Sequence, residues 1–306
     1  MRKFIKYLLV GMLTLSLVAC QQEAKESTIH VYTRDSSSGT REAFEGAIGF
    51  ADDDELTLNA SEASSNGDMA KRVGQDLDGI GYVSMSTDFV ANNIKPLMFE
   101  GVKPSVETTL DASYKMQRPF NYVTRASGDF ESEEVEELVK AFIAFISESE
   151  EGLAAIEDAG GIVDYSNAKP WQEIASNFPV LKQDNSSITL RTGGSTSVEK
   201  TIKSALEAFS PLAGNVGFSM NQSGSSDGYK RVLGNEKDGA NAVEIGFASR
   251  PFKESEDVSK AMASGSFCKD AVVVVVNADN QELNDISSQD LKEIYLGTVT
   301  SFKDIQ

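Results

Sequence analysis

Thr33-Arg34-Asp35-Ser36-Ser37-Ser38-Gly39-Thr40-Arg41-Glu42-Ala43-Phe44 is the stretch on which the reading of the fold turns. The residues before it, about 28–33, read as a strand. Ser36-Ser37-Ser38-Gly39-Thr40 then opens a helix whose apolar face takes Ala43, Phe44 and Ala47. A helix start leaves N–H groups unpaired and carries partial positive charge. Glycine and small hydroxyl residues let an anion approach those groups. Ser and Thr hydroxyls add donors without adding charge. Arg34, four residues before Ser38, can add a bidentate guanidinium. Taken alone, such a turn is equally an ordinary N-cap.

Working outward, the same passage occurs a second time. Ile188-Thr189-Leu190 leads into Gly193-Gly194-Ser195-Thr196-Ser197, and the helix after it has Val198, Ile202, Ala205, Leu206 and Phe209 on one face. The echo extends further. Ser64-Ser65-Asn66-Gly67 matches Ser225-Ser226-Asp227-Gly228, and Ile80-Gly81-Tyr82 matches Ile245-Gly246-Phe247. Lys71-Arg72-Val73 corresponds to Lys230-Arg231-Val232. The chain thus carries two similar α/β units, each with a hydroxyl- and glycine-rich turn at a helix start. Two such turns facing one another across a cleft can enclose a tetrahedral anion. Neither is a P-loop, because Gly193 to Lys200 lacks the Gly-Lys-Ser/Thr ending.

The remaining chain fills in an α/β protein. Residues 132–146 place Val135, Leu138, Val139, Phe142 and Ile146 on one helix face, with Ser132 as cap and Glu133 and Glu134 in the first turn. Residues 164–187, with Pro170 and Pro179, read as a connector in which Trp171 is a packing anchor. The run Ala271-Val272-Val273-Val274-Val275-Val276 reads as a strand buried on both faces. Ser287-x-x-Asp290 starts a short helix through Leu296, and Asp52-Asp53-Asp54-Glu55 reads as a solvated loop.

Composition sets limits. The 306 residues suffice for two domains, and a formal charge of −19 argues against nucleic acid as a partner. The global charge does not forbid a small anion held by local dipoles. His30 is the only histidine, so no Cys/His cluster is available for zinc, and no metal or cofactor is expected. A serine hydrolase lacks both its base and its Gly-x-Ser-x-Gly elbow, which leaves no enzymatic reading. Residues 1–19 form a signal peptide: Arg2, Lys3 and Lys6 precede an apolar run from Tyr7 to Val18 too short for a comfortable membrane span. Leu17-Val18-Ala19-Cys20 looks like a bacterial lipobox, which implies lipidation (palmitate) of Cys20, with 20–27 as a tether. Cys268 is then a lone thiol, expected as a packed small hydrophobe.

Taken together these segments resemble the bacterial phosphate-binding proteins of ABC transporters. The stretch 33–44 resembles that family's Arg-containing phosphate segment. Gly194-Ser195-Thr196-Ser197-Val198 looks like its first segment, and Gly224-Ser225-Ser226-Asp227-Gly228 and Ile245-Gly246-Phe247-Ala248-Ser249-Arg250 look like the next two. Residues 291–305 and Gly79-Ile80-Gly81-Tyr82-Val83-Ser84 are similar to two others. The order differs: in the family the Gly-Ser-Thr-Ser segment comes first. A circular permutation accounts for this, with a truncated or misassembled product as the competing explanation. The resemblance implies a two-lobe, type II periplasmic-binding-protein-like α/β fold with a ligand cleft. It puts 28–80 plus 269–306 in one lobe and 81–268 in the other. It implies that inorganic phosphate is held by Arg34, Ser38, Gly39 and Thr40 on one side and Thr196, Ser197, Ser225 and Ser249 on the other. Implied too are permease subunits of an importer as partners and a lipid-anchored place on the extracytoplasmic face of the cell membrane. One departure matters: some members carry Asp where Ser249 stands, to accept the proton of hydrogen phosphate. Asp35 and Asp227 are the nearby candidates for that task. Another oxyanion, sulfate or molybdate, and a phosphate-sensing lipoprotein without transport are the rival readings.

Overall fold

The computed structural model describes residues 28–51 and 53–305. The signal peptide, Cys20 and the tether lie outside the described residues. β1 (His30–Arg34) runs into α1 (Gly39–Ala47) and β2 (Ser61–Ala63) into α2 (Asn66–Gly74). β3 (Gly79–Ser84), β4 (Ile94–Pro96), β5 (Met98–Phe99) and α3 (Val106–Leu110) follow. β6 (Gln117–Thr124) leads to α4 (Glu133–Glu148), α5 (Glu150–Asp158) and α6 (Trp171–Ala175). Then come β7 (Thr189–Gly194), α7 (Glu199–Phe209), β8 (Gly217–Gln222), α8 (Ser225–Lys230) and β9 (Ile245–Ala248). β10 (Ser264–Asn277), β11 (Asp285–Ile286) and α9 (Ser288–Leu296) complete the chain.

The main sheet runs β2-β1-β3-β10-β6-β9-β7-β8, with β4 added against β10. Its two ends are parallel, β1 with β2 and β3, β7 with β8 and β9. Those are the two strand–turn–helix units of the repeat, and parallel pairing requires the crossover helices the sequence supplies. Between them β10 pairs antiparallel with β3 and with β6. The continuous valine run leaves β10 buried without a break from Asp270 to Asn277, as a stretch covered on both faces must be.

Two cores flank this junction. One gathers Phe120, the apolar stripe of α4, Trp171, Ile202, Phe209, Phe247 and Phe267. Trp171 packs edge-on against Phe145 and Phe209 and so anchors the connector, which holds α6 and a short 3-10 turn. Cys268 is buried in the same core with its thiol pKa pushed up by burial. The other core joins Ile29, Val31, Phe44 and Ile80 to Tyr82, Leu97, Phe99, Tyr114, Met116, Val272, Leu291 and Tyr295. The sequence reading divides the lobes at 80/81, inside β3; Tyr82, Leu97, Phe99, Tyr114 and Met116 share this core with Ile29, Val31 and Ile80. β3 pairs with β1 at Gly79 and Ile80 and with β10 from Ile80 to Ser84, and β5 pairs with β11. Gly81 sits against Met69 and Val73 of α2, so no break falls there.

Candidate functional site

The site forms where the two repeat turns meet. β1 ends at Arg34, which is 1% exposed. Its Nε donates to Ala63 O at 2.9 Å and its Nη2 to Ser64 O at 3.2 Å, while Asp35 lies 3.5 Å away as counter-charge. Burial lowers the Arg34 pKa, with Asp35 and Tyr82 acting against it. The Tyr82 hydroxyl accepts from Arg34 N at 3.0 Å and bonds Thr33 Oγ1, and its ring stacks on Phe44 of α1. Strand end and helix start are thereby fixed together. Ser38 caps α1, taking the Arg41 N–H, and leaves Gly39 and Thr40 buried at the helix N-terminus.

Facing them, β7 ends at Gly194 with φ +119, a conformation in which a side chain is strained and where a Cβ would strike the Phe247 backbone. That bend delivers Ser195, Thr196 and Ser197 ahead of α7. Ser225 begins α8 and is wholly buried, its Oγ accepting from Ser249 N at 3.0 Å. Across the junction Thr40 Oγ1 and Ser197 Oγ are 2.8 Å apart, Arg34 Nη1 reaches Thr196 Oγ1 at 3.4 Å, and Ser226 N donates to Ser37 O at 3.3 Å. Gly39 faces Ser225 and Ser249 so closely that a Cβ would not fit. Arg34, Gly39, Thr40, Thr196, Ser197, Ser225 and Ser249 therefore converge on one place, with Ser38 next to them as the cap of α1. An outer ion pair spans the same junction: Glu42 of α1 meets Arg250 at 3.0 Å and Lys253 at 2.9 Å, and Arg250 is also held by Glu256 at 2.7 Å.

Several members escape the sequence reading. Asn66, at the start of α2, donates through Nδ2 to Thr196 Oγ1 at 3.2 Å and Ser197 Oγ at 2.9 Å. Its repeat motif, Ser64-Ser65-Asn66-Gly67, was the signal for it. Arg118 of β6 donates to Asp270 of β10 from Nε at 3.0 Å and Nη2 at 2.8 Å. The same guanidinium reaches Ser197 Oγ at 2.8 Å and Ser249 Oγ at 3.2 Å. Both partners are at most 2% exposed. Burial pushes the Asp270 carboxyl up against the pull of Arg118 and Ser84, and pushes Arg118 down. An arginine does not lose its proton in proteins, so the Arg118 guanidinium stays charged. A charge at the head of the valine run was the available hint for Asp270.

The two carboxylates expected as proton acceptors already have protein partners, Asp35 with Arg34 among them. Asp35 takes the N–H and hydroxyl of Ser37. Asp227 takes the Ser223 hydroxyl and pairs with Arg231. Beside the junction a cavity of about 420 Å³ opens between Asn66, Ser84, Thr196, Ser197, Lys200 and Lys203. Among the described residues no group of His, Cys, Asp and Glu is arranged to hold a metal ion, and no helix is long and apolar enough to cross a membrane.

Two α/β lobes whose helix starts bring uncharged donors and the buried guanidiniums of Arg34 and Arg118 to a shared junction define a solute-binding protein, and comparison with known proteins agrees. Residues 180–305 match the family described as PBP superfamily domain. The "Phosphate-binding protein PstS 2" of Streptococcus agalactiae serotype V is 30% identical over 96% of this chain and 95% of its own. The protein of the same name from Streptococcus pneumoniae serotype 4 is 28% identical over 100% and 99%. A crystal structure of a phosphate ABC transporter, phosphate-binding protein from S. pneumoniae TIGR4 superposes with a TM-score of 0.65 at 28% identity, covering 92% of this chain and 100% of that one. The chain belongs to the family of bacterial phosphate-binding proteins of ABC transporters, a family of solute-binding components and not of enzymes.

Proposed function

We propose that this protein captures inorganic phosphate outside the cytoplasm and delivers it to the permease subunits of an ABC importer. The observation that carries this is the convergence of Arg34, Ser38–Thr40, Thr196, Ser197, Ser225 and Ser249 on one junction between two lobes. Arg34 supplies charge, the hydroxyls supply directed donors, and the starts of α1, α7 and α8 supply backbone N–H groups. The lobes are 28–116 with 269–305, and 117–268. The absence of a free carboxylate among these donors favours a second reading, in which a fully ionised oxyanion such as sulfate or molybdate is the cargo.

The lipobox-like sequence supports anchoring through Cys20 on the extracytoplasmic face of the cell membrane. Metabolic labelling with palmitate, lost in Cys20→Ala, tests that; label retained in the variant refutes it. The segment order supports a circular permutation relative to family members that open with the Gly-Ser-Thr-Ser segment. Alignments that run through nearly the whole of this chain and of its relatives speak against a misassembled product.

The functional test is titration calorimetry on protein stripped of endogenous anion, with phosphate, sulfate and molybdate compared. Phosphate binding that Arg34→Ala abolishes is the expected result. Tighter binding of sulfate or molybdate would keep the site and change the cargo. No binding of any oxyanion would move the protein to a sensing or remnant role.

A further inference from the structure

The hydroxyls at the junction have a fixed polarity, and its source is the buried Arg118–Asp270 pair. Ser197 Oγ receives two obligatory donors, Arg118 Nη2 at 2.8 Å and Asn66 Nδ2 at 2.9 Å. The Asn66 amide cannot be turned round, because its Oδ1 accepts from Ser84 N at 3.0 Å. A hydroxyl has two acceptor positions and one proton. With both positions filled, Ser197 must donate, and its partner is Thr40 Oγ1 at 2.8 Å. Thr40 then has its own proton to place, and among the described residues it meets no other protein acceptor. A second branch runs the same way. Ser249 Oγ receives Arg118 Nη1 at 3.2 Å and the Ser195 hydroxyl at 2.8 Å, so its proton turns to Ser225 Oγ at 3.3 Å. Ser225 Oγ also takes the Ser249 N–H and is left with a proton to place beside Gly39.

We infer that Arg118, held by Asp270, is a positioning residue for anion recognition: it turns Ser197 and Ser249 so that Thr40 and Ser225 present protons, not lone pairs, to the ligand. This rests on the anion-binding reading above. Asp270 leaves nothing for the ligand, since Oδ2 is taken by Arg118 and Oδ1 by Ser84 Oγ at 2.9 Å. The charged or titratable groups that face the pair are Arg34, Tyr114 and Cys268. The site so made favours the most ionised phosphate species, because each P–OH needs an acceptor that the oriented hydroxyls do not offer.

The test compares wild type with two variants. Arg118→Gln/Asp270→Asn removes both charges together, so that no lone buried charge remains. Arg118→Lys keeps the charge beside Asp270 but loses the fork that spans Ser197 and Ser249. Each is melted without ligand and then titrated with phosphate as the pH is lowered through the second ionisation of phosphate. Expected are near wild-type melting for at least one variant and phosphate affinity weaker by about tenfold or more, the scale of losing charge-assisted orientation. The fall of affinity on acidification should also be shallower than in wild type, since freed hydroxyls can accept a P–OH. A folded variant with wild-type affinity and wild-type pH slope overturns the inference and leaves the pair a packing feature. Should the double variant not fold, Arg118→Lys decides on the same two readings. If wild type itself binds no phosphate but binds sulfate or molybdate, the cargo reading fails alone and the affinity comparison is made with that anion. If it binds none, both readings fall.

Discussion

Replacing Gly39 by alanine adds one carbon at the narrowest point between the lobes. That Cβ would stand 3.0 Å from Ser249 Oγ and from Ser225 Cβ, and closer still to Ser225 Oγ. Real Cβ contacts are not that short, and Ser225 cannot swing aside, because it is wholly buried and its Oγ holds Ser249 N. Overpacking of this kind costs about 1–3 kcal/mol. At 1.4 kcal/mol per decade, that is a loss of roughly 5- to 150-fold in phosphate affinity. The same change should not harm the first lobe. Gly39 is the first residue of α1 and needs no left-handed backbone, so alanine there leaves apo stability unchanged or raises it by up to about 1 kcal/mol. Calorimetric titration and ligand-free thermal melting on one preparation read the two effects separately. Weaker binding with undiminished melting temperature is expected. Wild-type affinity would refute the reasoning, since it would mean that the ligand-bound lobes never bring α1 and α8 this close.

Three further outcomes follow from contacts around the site. Glu42→Gln breaks the outer ion pair with Arg250 and Lys253; with Glu42 about half exposed, the loss is less than about 1 kcal/mol, seen as phosphate release faster by under about fivefold and a difference that shrinks in high salt. Tyr82→Phe keeps the stack on Phe44 but strands the buried Arg34 N–H and Thr33 hydroxyl, so denaturant unfolding should show a loss of about 1–3 kcal/mol. Burial acts to raise Glu256, but the Arg250 guanidinium and the Lys253 N–H outweigh it and hold the carboxyl below its usual range. A depressed carboxylate contributes stability that is present above its unfolded value of about 4.3 and is lost as pH falls through the folded value. Denaturation midpoints followed across that acid range should therefore drop less steeply in Glu256→Gln than in wild type, and equal slopes would count against the pair.

What was legible in the sequence was what is local. The turn at Ser38, the start of α7, the stripe of α4 and the valine run are each spelled out within a dozen or so residues, and each lies where its pattern placed it. Arg34 was legible because it sits on the same strand end as the turn it serves. Arg118 and Asp270 were not, because Arg118 is the one charge of β6, Asp270 stands beside Lys269 in β10, and the two acquire meaning only when β6 is laid against β10. Nothing in the residues near Asp270 announces a partner 152 positions earlier in the chain. Asn66 was flagged as part of a repeat but was not placed in the site, since only the packing of α2 brings it to Ser197. The pairing of β3 with β10 is illegible for a related reason: β3 looks like the end of the first unit, and its partner lies some 190 residues further on.

Because β10 lies between β3 and β6, neither lobe is closed without it. A chain growing from its N-terminus makes β1, α1, β2, α2 and β3 first. The valines that complete their sheet, and that seal Met69, Ala70 and Val73 from below, arrive only with residues 271–276. The lobe begun first during synthesis is thus finished last. Its pairings are among the most distant in the sequence, which makes folding slow and cooperative, as a wait for late strands demands. A ribosome-bound chain stalled before residue 264 would carry an unfinished first lobe, and the chain would remain open to handling as an extended polymer until nearly the whole of it exists.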